Sequence, residues 1–356
     1  MKLAARPSIM DIQPYKGGEG RVDSVARLIR LASNENPLGC SSQARAAYMS
    51  AADDLHRYPD GAAADLRAAI GKKYTIDPDR IVCGAGSDEL ISLITRAYAG
   101  VGDEVLYSQY GFLMYPIAAK TVGAVPVSAA EKNLRTDVDA VLGKVTDKTK
   151  IVFLANPNNP TGSWLTRTEM QKLARSLRSN ILLVVDAAYA EFIDHPEYED
   201  GRALVDAHEN VVMLRTFSKI HGLAALRLGW GYFSPAVADV INRVRGPFNV
   251  SVPAQAAGIA ALQDDDFIRR TIKMTNEGRT VLTDEISALD FQVYPSAGNF
   301  VLVKFGARAE EIRIALKEKG IFVRQMGAYG LPECLRITIG LPEDNKALVS
   351  ALRGIV

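Results

Sequence analysis

The sequence predicts an α/β protein with a large domain on a mostly parallel central sheet flanked by helices, followed by a smaller α+β domain. Up to about residue 233, short and continuous apolar runs alternate with helical patterns, as at residues 151–154 and 181–185. Continuous β-branched runs are typical of strands buried on both faces, and strands alternating with helices favour a parallel sheet. This rhythm ends near residue 246, where a long helical stretch precedes further strands and helices. The change predicts the second domain.

The length of the chain supports this division into two domains. It has 356 residues, of which 48% are hydrophobic, enough for more than one core. Residues 1–40 are rich in Gly, Pro and Asn, which predicts an irregular N-terminal arm that leans on the rest of the protein. We therefore predict the arm at 1–40, the large domain at 41–245, and the small domain, together with the arm, at 246–356.

The charge balance argues against nucleic acid or a membrane as a partner. The chain carries 42 basic and 41 acidic residues, a net charge of +1, and no apolar run approaches the ~18 residues of a membrane span. The N-terminus lacks the apolar segment of a signal peptide, so we expect a cytoplasmic protein. The cysteines and histidines show no metal-ligand spacing, and no metal site is predicted.

A lysine follows one of the predicted buried strands. Lys219 comes after the run at 211–214, with the hydroxyls of Thr216 and Ser218 beside it and Arg227 eight residues on. A lysine amine in an apolar pocket can act as a nucleophile because burial depresses its pKa. Hydroxyls and a guanidinium together suit a phosphate monoester.

Polar residues also end two neighbouring strands. Asp186 and Tyr189 follow the run at 181–185, and Asn159 lies in the proline-rich turn after the run at 151–154. The carboxyl ends of parallel strands line the ligand crevice of such sheets. An aspartate there could keep a heteroaromatic nitrogen protonated, and a tyrosine could donate to a ring oxygen.

A glycine turn joins a strand to a helix at Gly86, Ser87 and Asp88. The unpaired N–H groups and positive dipole end of a helix N-terminus form an anion site. Glu89 stands where the third glycine of the dinucleotide-binding pattern would be, which argues against NAD. A reactive lysine, an acid for a ring nitrogen, donors for a ring oxygen and a phosphate cradle together favour pyridoxal 5′-phosphate (PLP) as the cofactor.

The motifs occur in an order that resembles the histidinol-phosphate aminotransferase branch of the fold-type I PLP enzymes. From residue 33 to residue 340 the chain contains, in order, SNENPLG, RYPDG, GAGSDE, NPNNPTG, DAAY, TFSK, LRLGW, VR and CLRITIG. The resemblance covers nearly the whole chain and implies the PLP-transferase fold type I.

The resemblance also implies roles for individual residues. Lys219 would bind the cofactor covalently, Asp186 would pair with its ring nitrogen, and Tyr189 and Asn159 would donate to its ring oxygen. The residues expected to hold the phosphate are Gly86, Ser87, Asp88, Thr216, Ser218 and Arg227. Phe112 is expected to stack on the ring, with Tyr110 as its rival because the segment before it departs from the family pattern.

Further resemblances concern the substrate and the partner subunit. Arg336, with Arg324 as companion, resembles the arginine that binds the acidic group of the substrate, and planar guanidinium forks accept phosphate and carboxylate alike. Additional candidates near the substrate are Tyr15, Asn34 and Asn299. Tyr58 resembles a tyrosine that reaches the phosphate in the other subunit, which implies a homodimer with shared active sites.

The implied reaction converts L-histidinol phosphate and 2-oxoglutarate to imidazole-acetol phosphate and L-glutamate, a step of histidine biosynthesis. The substrates would thus be a phosphorylated amino alcohol and a 2-oxo acid. An aromatic or broad-specificity aminotransferase is the first alternative, since it uses the same cofactor residues. A PLP-dependent decarboxylase or lyase is the alternative from another reaction class.

Overall fold

The computed structural model describes residues 3–15, 17 and 27–356. The remaining residues of the predicted arm, 1–2, 16 and 18–26, lie outside the described residues. Within the described ranges no helix is long and apolar enough to cross a membrane.

The helices of the described chain are distributed over both domains. The α-helices, in chain order, are α1 (Pro7–Met10), α2 (Ser42–Ser50), α3 (Ala64–Tyr74), α4 (Ser87–Tyr98), α5 (Met114–Val122), α6 (Val138–Leu142), α7 (Arg167–Ser176), α8 (Arg202–Ala207), α9 (Pro235–Val244), α10 (Val252–Gln263), α11 (Asp265–Ser287), α12 (Ala309–Glu318) and α13 (Pro342–Arg353). Short 3₁₀ helices lie at Ala51–Asp54, Pro78–Arg80, Ala190–Phe192, Ala224–Leu226, Gly306–Arg308 and Gly327–Tyr329.

The strands of the described residues form two main sheets and a small hairpin. In chain order they are β1 (Ile29–Leu31), β2 (Ile81–Gly84), β3 (Glu104–Ser108), β4 (Val125–Ala129), β5 (Glu131–Lys132), β6 (Arg135–Thr136), β7 (Thr149–Ala155), β8 (Leu182–Asp186), β9 (Val211–Thr216), β10 (Gly229–Tyr232), β11 (Gln292–Tyr294), β12 (Phe300–Lys304), β13 (Ile321–Gln325) and β14 (Cys334–Thr338).

The larger sheet has the strand order β2-β10-β9-β8-β7-β3-β4. Neighbouring strands from β9 to β4 pair in parallel, whereas β10 is antiparallel to both β9 and β2. Every residue of β8 and β9 is buried, because helices cover both faces of the sheet. This double burial accounts for the continuous apolar runs, and the predicted mostly parallel sheet is confirmed.

The smaller sheet has the order β1-β13-β14-β12-β11. Its apolar side packs with α11, α12 and α13 around Leu282, Leu316, Leu335, Ile337 and Leu348. Strand β1, which comes from the arm, pairs in parallel with β13. The arm is therefore a structural part of the small domain's sheet.

Helix α10 bears on the boundary between the domains. Its buried residues Ala254, Ala257 and Ala261 belong to the core of the larger sheet, beside α2 and α3. Helix α11, which begins at Asp265, contributes instead to the smaller core. The domain limits remain a proposal, and this packing leads us to propose the boundary at Asp264 rather than at residue 245.

Gly229 permits a close approach between β10 and the turn before α4. A Cβ atom at Gly229 would lie 2.4 Å from the backbone nitrogen of Ser87 and 2.6 Å from the carbonyl carbon of Gly86. Real Cβ atoms do not come this close to backbone, so any side chain at 229 would displace the start of α4.

We expect Gly229→Ala to destabilise the protein by about 1–3 kcal/mol, because it overpacks a region in which backbone would have to move. Thermal unfolding of the purified protein, loaded with any cofactor it retains, measures the effect. The matched control is Gly246→Ala, because no atom lies within 4 Å of a Cβ at Gly246. Equal melting temperatures for the two variants would contradict the proposed constraint.

Candidate active site

A cavity of about 270 Å³ opens at the carboxyl ends of β7, β8 and β9, where the large domain meets the arm and the small domain. Most residues predicted from the sequence line this cavity. They are Lys219, Asp186, Tyr189, Asn159, Thr216, Ser218, Arg227, Ser87, Asp88, Phe112, Arg336, Arg324, Tyr15 and Asn34. The fold thus brings together side chains that lie up to 321 residues apart in the chain.

Lys219 projects into the cavity from the segment that follows β9. Its Nζ donates to the Ser33 carbonyl oxygen at 3.2 Å and lies 5.9 Å from the centre of the Tyr189 ring. Burial and the nearby Arg336 guanidinium lower the pKa of Lys219 to about 8, although Asp88 opposes the shift. A sizeable fraction of this amine is therefore neutral near physiological pH, as a nucleophile or base requires.

Asp186 is the last residue of β8 and is only 5% exposed. Its Oδ2 accepts a hydrogen bond from the Tyr115 hydroxyl at 2.8 Å, whereas its buried Oδ1 has no hydrogen-bond partner among the described residues. Burial raises the pKa of Asp186 to about 6 against the opposing effect of Tyr115. A buried acceptor without a partner is costly, so Oδ1 is a ready acceptor for an N–H group of a ligand.

Tyr189 is linked through Asn34 to the small domain. The Asn34 Nδ2 donates to the Tyr189 hydroxyl at 3.0 Å. The Asn34 backbone N–H donates to Thr338 Oγ1 at 2.9 Å, and this hydroxyl donates to Asn34 Oδ1 at 3.0 Å. Burial raises the pKa of Tyr189 to about 12, so its hydroxyl keeps a proton that it can donate into the cavity.

An anion cradle forms where α4 begins. Gly86, at φ 84°, precedes the helix, and a Cβ there would lie 2.3 Å from Arg227 Nη2. Arg227 also lies 3.3 Å from both Ser218 Oγ and Asp88 Oδ2. A guanidinium, a hydroxyl and a helix N-terminus therefore converge on one place, which suits a phosphate group. Gly86 does not itself line the cavity but allows Arg227 to lie against the turn.

Two arginines on adjacent strands border the other side of the cavity. Arg324 on β13 and Arg336 on β14 are opposite each other in the strand register. Buried Arg336 donates from Nη1 to Asn159 Oδ1 and from Nη2 to the Ala32 carbonyl oxygen at 2.8 Å. Its Nε has no hydrogen-bond partner within the described part of the chain. This positive region can bind an anionic group of a substrate.

Some predicted residues lie outside the cavity. Tyr58 is 83% exposed and stacks on Phe248 with 4.8 Å between ring centres. Asn299 lies behind Asn34, to whose carbonyl oxygen its Nδ2 donates at 3.0 Å. Phe112 lines the cavity and Tyr110 does not, which favours Phe112 for the stacking role without testing it. Among residues 3–15, 17 and 27–356 no cluster of His, Cys, Asp and Glu could hold a metal ion.

Three contributors to the site could not be predicted from the sequence. Tyr115 holds Asp186, and the carbonyl oxygens of Ala32 and Ser33 accept from Arg336 and Lys219. Backbone carbonyls carry no signal in the side-chain pattern. Tyr115 gave only a weak one, since an aromatic residue at the start of an apolar helix is typical of the core.

The chain is similar over nearly its whole length to known aminotransferases. The model of the family aminotransferase class I and II matches residues 26–352. The histidinol-phosphate aminotransferase of Rhodospirillum centenum is 54% identical over 349 residues, which cover 97% of this chain and 96% of the relative. The histidinol-phosphate aminotransferase of Paramagnetospirillum magneticum is 52% identical over 99% of this chain and 98% of the relative.

A solved structure shares the fold. The histidinol-phosphate aminotransferase of Sinorhizobium meliloti, in complex with pyridoxal 5′-phosphate, superposes with a TM-score of 0.90 and 29% identity, covering 98% of this chain and 96% of its own. The predicted fold class is confirmed by this agreement and by the family match. With nearly its full length matched, the chain belongs to the class I and II aminotransferase family.

Proposed function

We propose that this chain is a PLP-dependent aminotransferase that converts L-histidinol phosphate and 2-oxoglutarate to imidazole-acetol phosphate and L-glutamate. The observation that carries the proposal is a half-buried lysine beside an acid with an unsatisfied oxygen and an anion cradle, all in one cavity. The choice of substrate follows relatives named histidinol-phosphate aminotransferase at 54% and 52% identity.

The residues of the cavity fit PLP. The unpartnered Oδ1 of Asp186 suits the N–H of a pyridinium ring, and Phe112 provides an aromatic face. The phosphate would be held by Arg227, Ser218, Thr216 and the start of α4 at Gly86, Ser87 and Asp88. Tyr189 and Asn159 would donate to the ring oxygen. When bound, PLP supplies an aldehyde that combines with amines and a ring that withdraws electrons from the substrate Cα.

Lys219 would act first as the covalent anchor and then as the base. Because its pKa is about 8, the amine released by the incoming substrate is neutral often enough to take a proton from the substrate Cα. The Ser33 carbonyl oxygen, 3.2 Å from Nζ, orients the amine without placing a negative charge beside it. A carboxylate in the same place would raise the pKa of the amine and leave a smaller neutral fraction near physiological pH.

Asp186 and Tyr189 would control protons at two different positions of the cofactor. The ionised Asp186 would keep a proton on the ring nitrogen, and its buried position would strengthen that interaction. Tyr189 stays protonated because burial raises its pKa to about 12, so it remains a donor throughout the physiological range.

Arg336 and Arg324 would bind the substrate anions. An aminotransferase must accept its amino donor and its oxo-acid acceptor in one site, and guanidinium forks pair with phosphate and carboxylate alike. The Nε of buried Arg336 has no partner among the described residues, and the centre of the Tyr15 ring lies 5.6 Å from the Arg324 guanidinium carbon. Asn34 and Asn299 would support this side of the cavity through their hydrogen bonds to Tyr189 and to the arm.

The proposal extends to a cytoplasmic homodimer. Tyr58 and Phe248 form a stacked and exposed aromatic pair, and the Tyr58 hydroxyl does not reach the cavity of its own subunit. Exposed aromatic pairs are enriched where proteins associate. Tyr58 would then contact the phosphate in the partner subunit.

Replacing Lys219 with Ala is expected to reduce turnover at least about a thousandfold, because both the anchor and the base are lost. The measurement is the transamination rate with L-histidinol phosphate and 2-oxoglutarate, together with the visible absorbance of bound PLP. The matched control is Lys144→Ala, which removes an exposed lysine. Near-normal turnover in the Lys219 variant would disprove the assignment.

A single half-reaction tests the substrate. The PLP-loaded protein is mixed with L-histidinol phosphate, phenylalanine or tyrosine without oxo acid, and conversion of the bound cofactor is followed by absorbance. We expect histidinol phosphate to react at least about tenfold faster, since its phosphate offers the two arginines more charge and more acceptor oxygens than the carboxylate of phenylalanine or tyrosine.

Two results would redirect this conclusion. Equal or faster conversion by the aromatic amino acids would make the protein an aromatic or broad-specificity aminotransferase. Release of carbon dioxide without dependence on an oxo acid would make it a decarboxylase.

Replacing Tyr58 with Phe is expected to weaken PLP binding about five- to tenfold, because one hydrogen bond to the phosphate is lost while the ring remains. Affinity is measured by titrating the apoprotein, and the oligomeric state by sedimentation. Tyr48→Phe, at another exposed tyrosine, is the control. A fully active monomer, or unchanged affinity in the Tyr58 variant, would contradict the shared site.

A further inference from the structure

Tyr115 is a fully buried tyrosine in the first turn of α5. Its ring stacks on Phe153 with 4.6 Å between centres and an interplanar angle of 3°. Phe112 contacts it at right angles, with 5.9 Å between centres. The ring is therefore fixed between a sheet residue and the aromatic residue that borders the cavity.

The Tyr115 hydroxyl forms a hydrogen bond with a residue of the candidate active site. It donates to Oδ2 of Asp186 at 2.8 Å, across 71 residues of sequence. The second carboxylate oxygen, Oδ1, is buried without a partner among the described residues. Because the ring is fully buried and packs against Phe153 and Phe112, this hydrogen bond selects which oxygen of Asp186 is occupied and which is left available.

We propose that Tyr115 is a positioning residue, which holds Asp186 ionised and turned so that Oδ1 can accept a hydrogen bond from the ring nitrogen of the cofactor. The proposal rests on the PLP-dependent function given above. Tyr115 itself touches neither the cavity nor, by this account, the cofactor.

The groups that face Asp186 show what the hydroxyl contributes. Burial and the Asp88 carboxylate on α4 raise its pKa, whereas Tyr115, the Ala188 backbone N–H and Lys219 lower it, and the result is about 6. A hydrogen bond to a charged group is stronger than one between neutral partners. Without the Tyr115 hydroxyl, Asp186 becomes a stronger base and binds a proton at higher pH.

Tyr115 is a dependable donor because it does not ionise. Burial and the adjacent Asp186 raise its pKa well above the ordinary value, and Tyr329 and Tyr189 act in the same direction. The hydroxyl proton therefore stays on Tyr115 while Asp186 stays ionised.

The sign of the expected effect follows from competition for one proton. A more basic Asp186 takes a larger share of the proton that lies between it and the ring nitrogen. The ring then carries less positive charge and repels the protonated nitrogen of the Lys219 linkage less. The absorbance change that accompanies deprotonation of this linkage should move to higher pH.

The experiment compares Tyr115→Phe with the wild-type protein and with Tyr107→Phe. Tyr107 is half-buried and contacts the Tyr115 ring edge-on at 6.5 Å between centres, but has no hydrogen bond to Asp186. Three quantities are measured: the apparent pKa of the visible absorbance of the PLP-loaded protein, the Kd of the apoprotein for PLP, and the melting temperature of the apoprotein.

We expect Tyr115→Phe to raise the apparent pKa by about one unit and to weaken PLP binding about tenfold. Tyr107→Phe should leave both quantities within about twofold of the wild type. An unchanged apparent pKa and Kd in Tyr115→Phe would overturn the positioning role. Equal shifts in both variants would also overturn it. So would weaker PLP binding together with a lower melting temperature and an unchanged apparent pKa, because packing alone would then explain the result.

The wild-type measurement separates this inference from the function on which it rests. If the wild-type protein shows no visible absorbance with PLP, the proposed function fails. If the wild type shows it and Tyr115→Phe behaves identically, the function stands and only the role of Tyr115 is lost.

Discussion

The site depends on the burial of an amine and a carboxylate that do not neutralise each other. Lys219 donates to the Ser33 carbonyl oxygen, and Asp186 accepts from the Tyr115 hydroxyl. A direct ion pair would push the two pKa values apart and stabilise both charges. Here burial instead brings them to about 8 and about 6, close to physiological pH. Both groups consequently remain free to interact with a ligand, at some cost in stability of the empty site.

The arm supplies the contacts that bring the two domains together at the cavity. Three consecutive residues of the arm each form a hydrogen bond with a different residue of the cavity. The Ala32 carbonyl oxygen accepts from Arg336, and the Ser33 carbonyl oxygen accepts from Lys219. The Asn34 side chain donates to Tyr189. Strand β1 immediately precedes them and is anchored in the small sheet by its pairing with β13. The arm thus connects the small domain to the residues at the ends of β8 and β9.

The sequence predicts those elements whose burial on both faces leaves a continuous apolar run in the local sequence. The central strands β7, β8 and β9 were placed within a few residues because both faces of each are apolar. Strand β4, whose residues are largely half-buried or exposed, and strand β1, whose partner β13 is nearly 300 residues away, have no such pattern. At the site, too, residues with a local sequence signal differ from residues whose role depends on a distant partner. Lys219 and Asp186 were recognisable from their chemistry at strand ends, whereas Tyr115 matters through a partner that only the fold supplies.

The two arginines of the small sheet place positive charge beside the amine that follows β9 in the large domain. Arg324 and Arg336 are register partners on neighbouring strands, and the positive charge of Arg324 lowers the pKa of Arg336. Burial already lowers the pKa of Arg336, so an anion placed between the two guanidiniums removes both penalties at once. Both arginines line the same cavity as Lys219, so an anion held by them places the rest of a ligand beside the amine. Under the proposed function, the two arginines would therefore fix where the substrate lies relative to Lys219, in addition to balancing its charge.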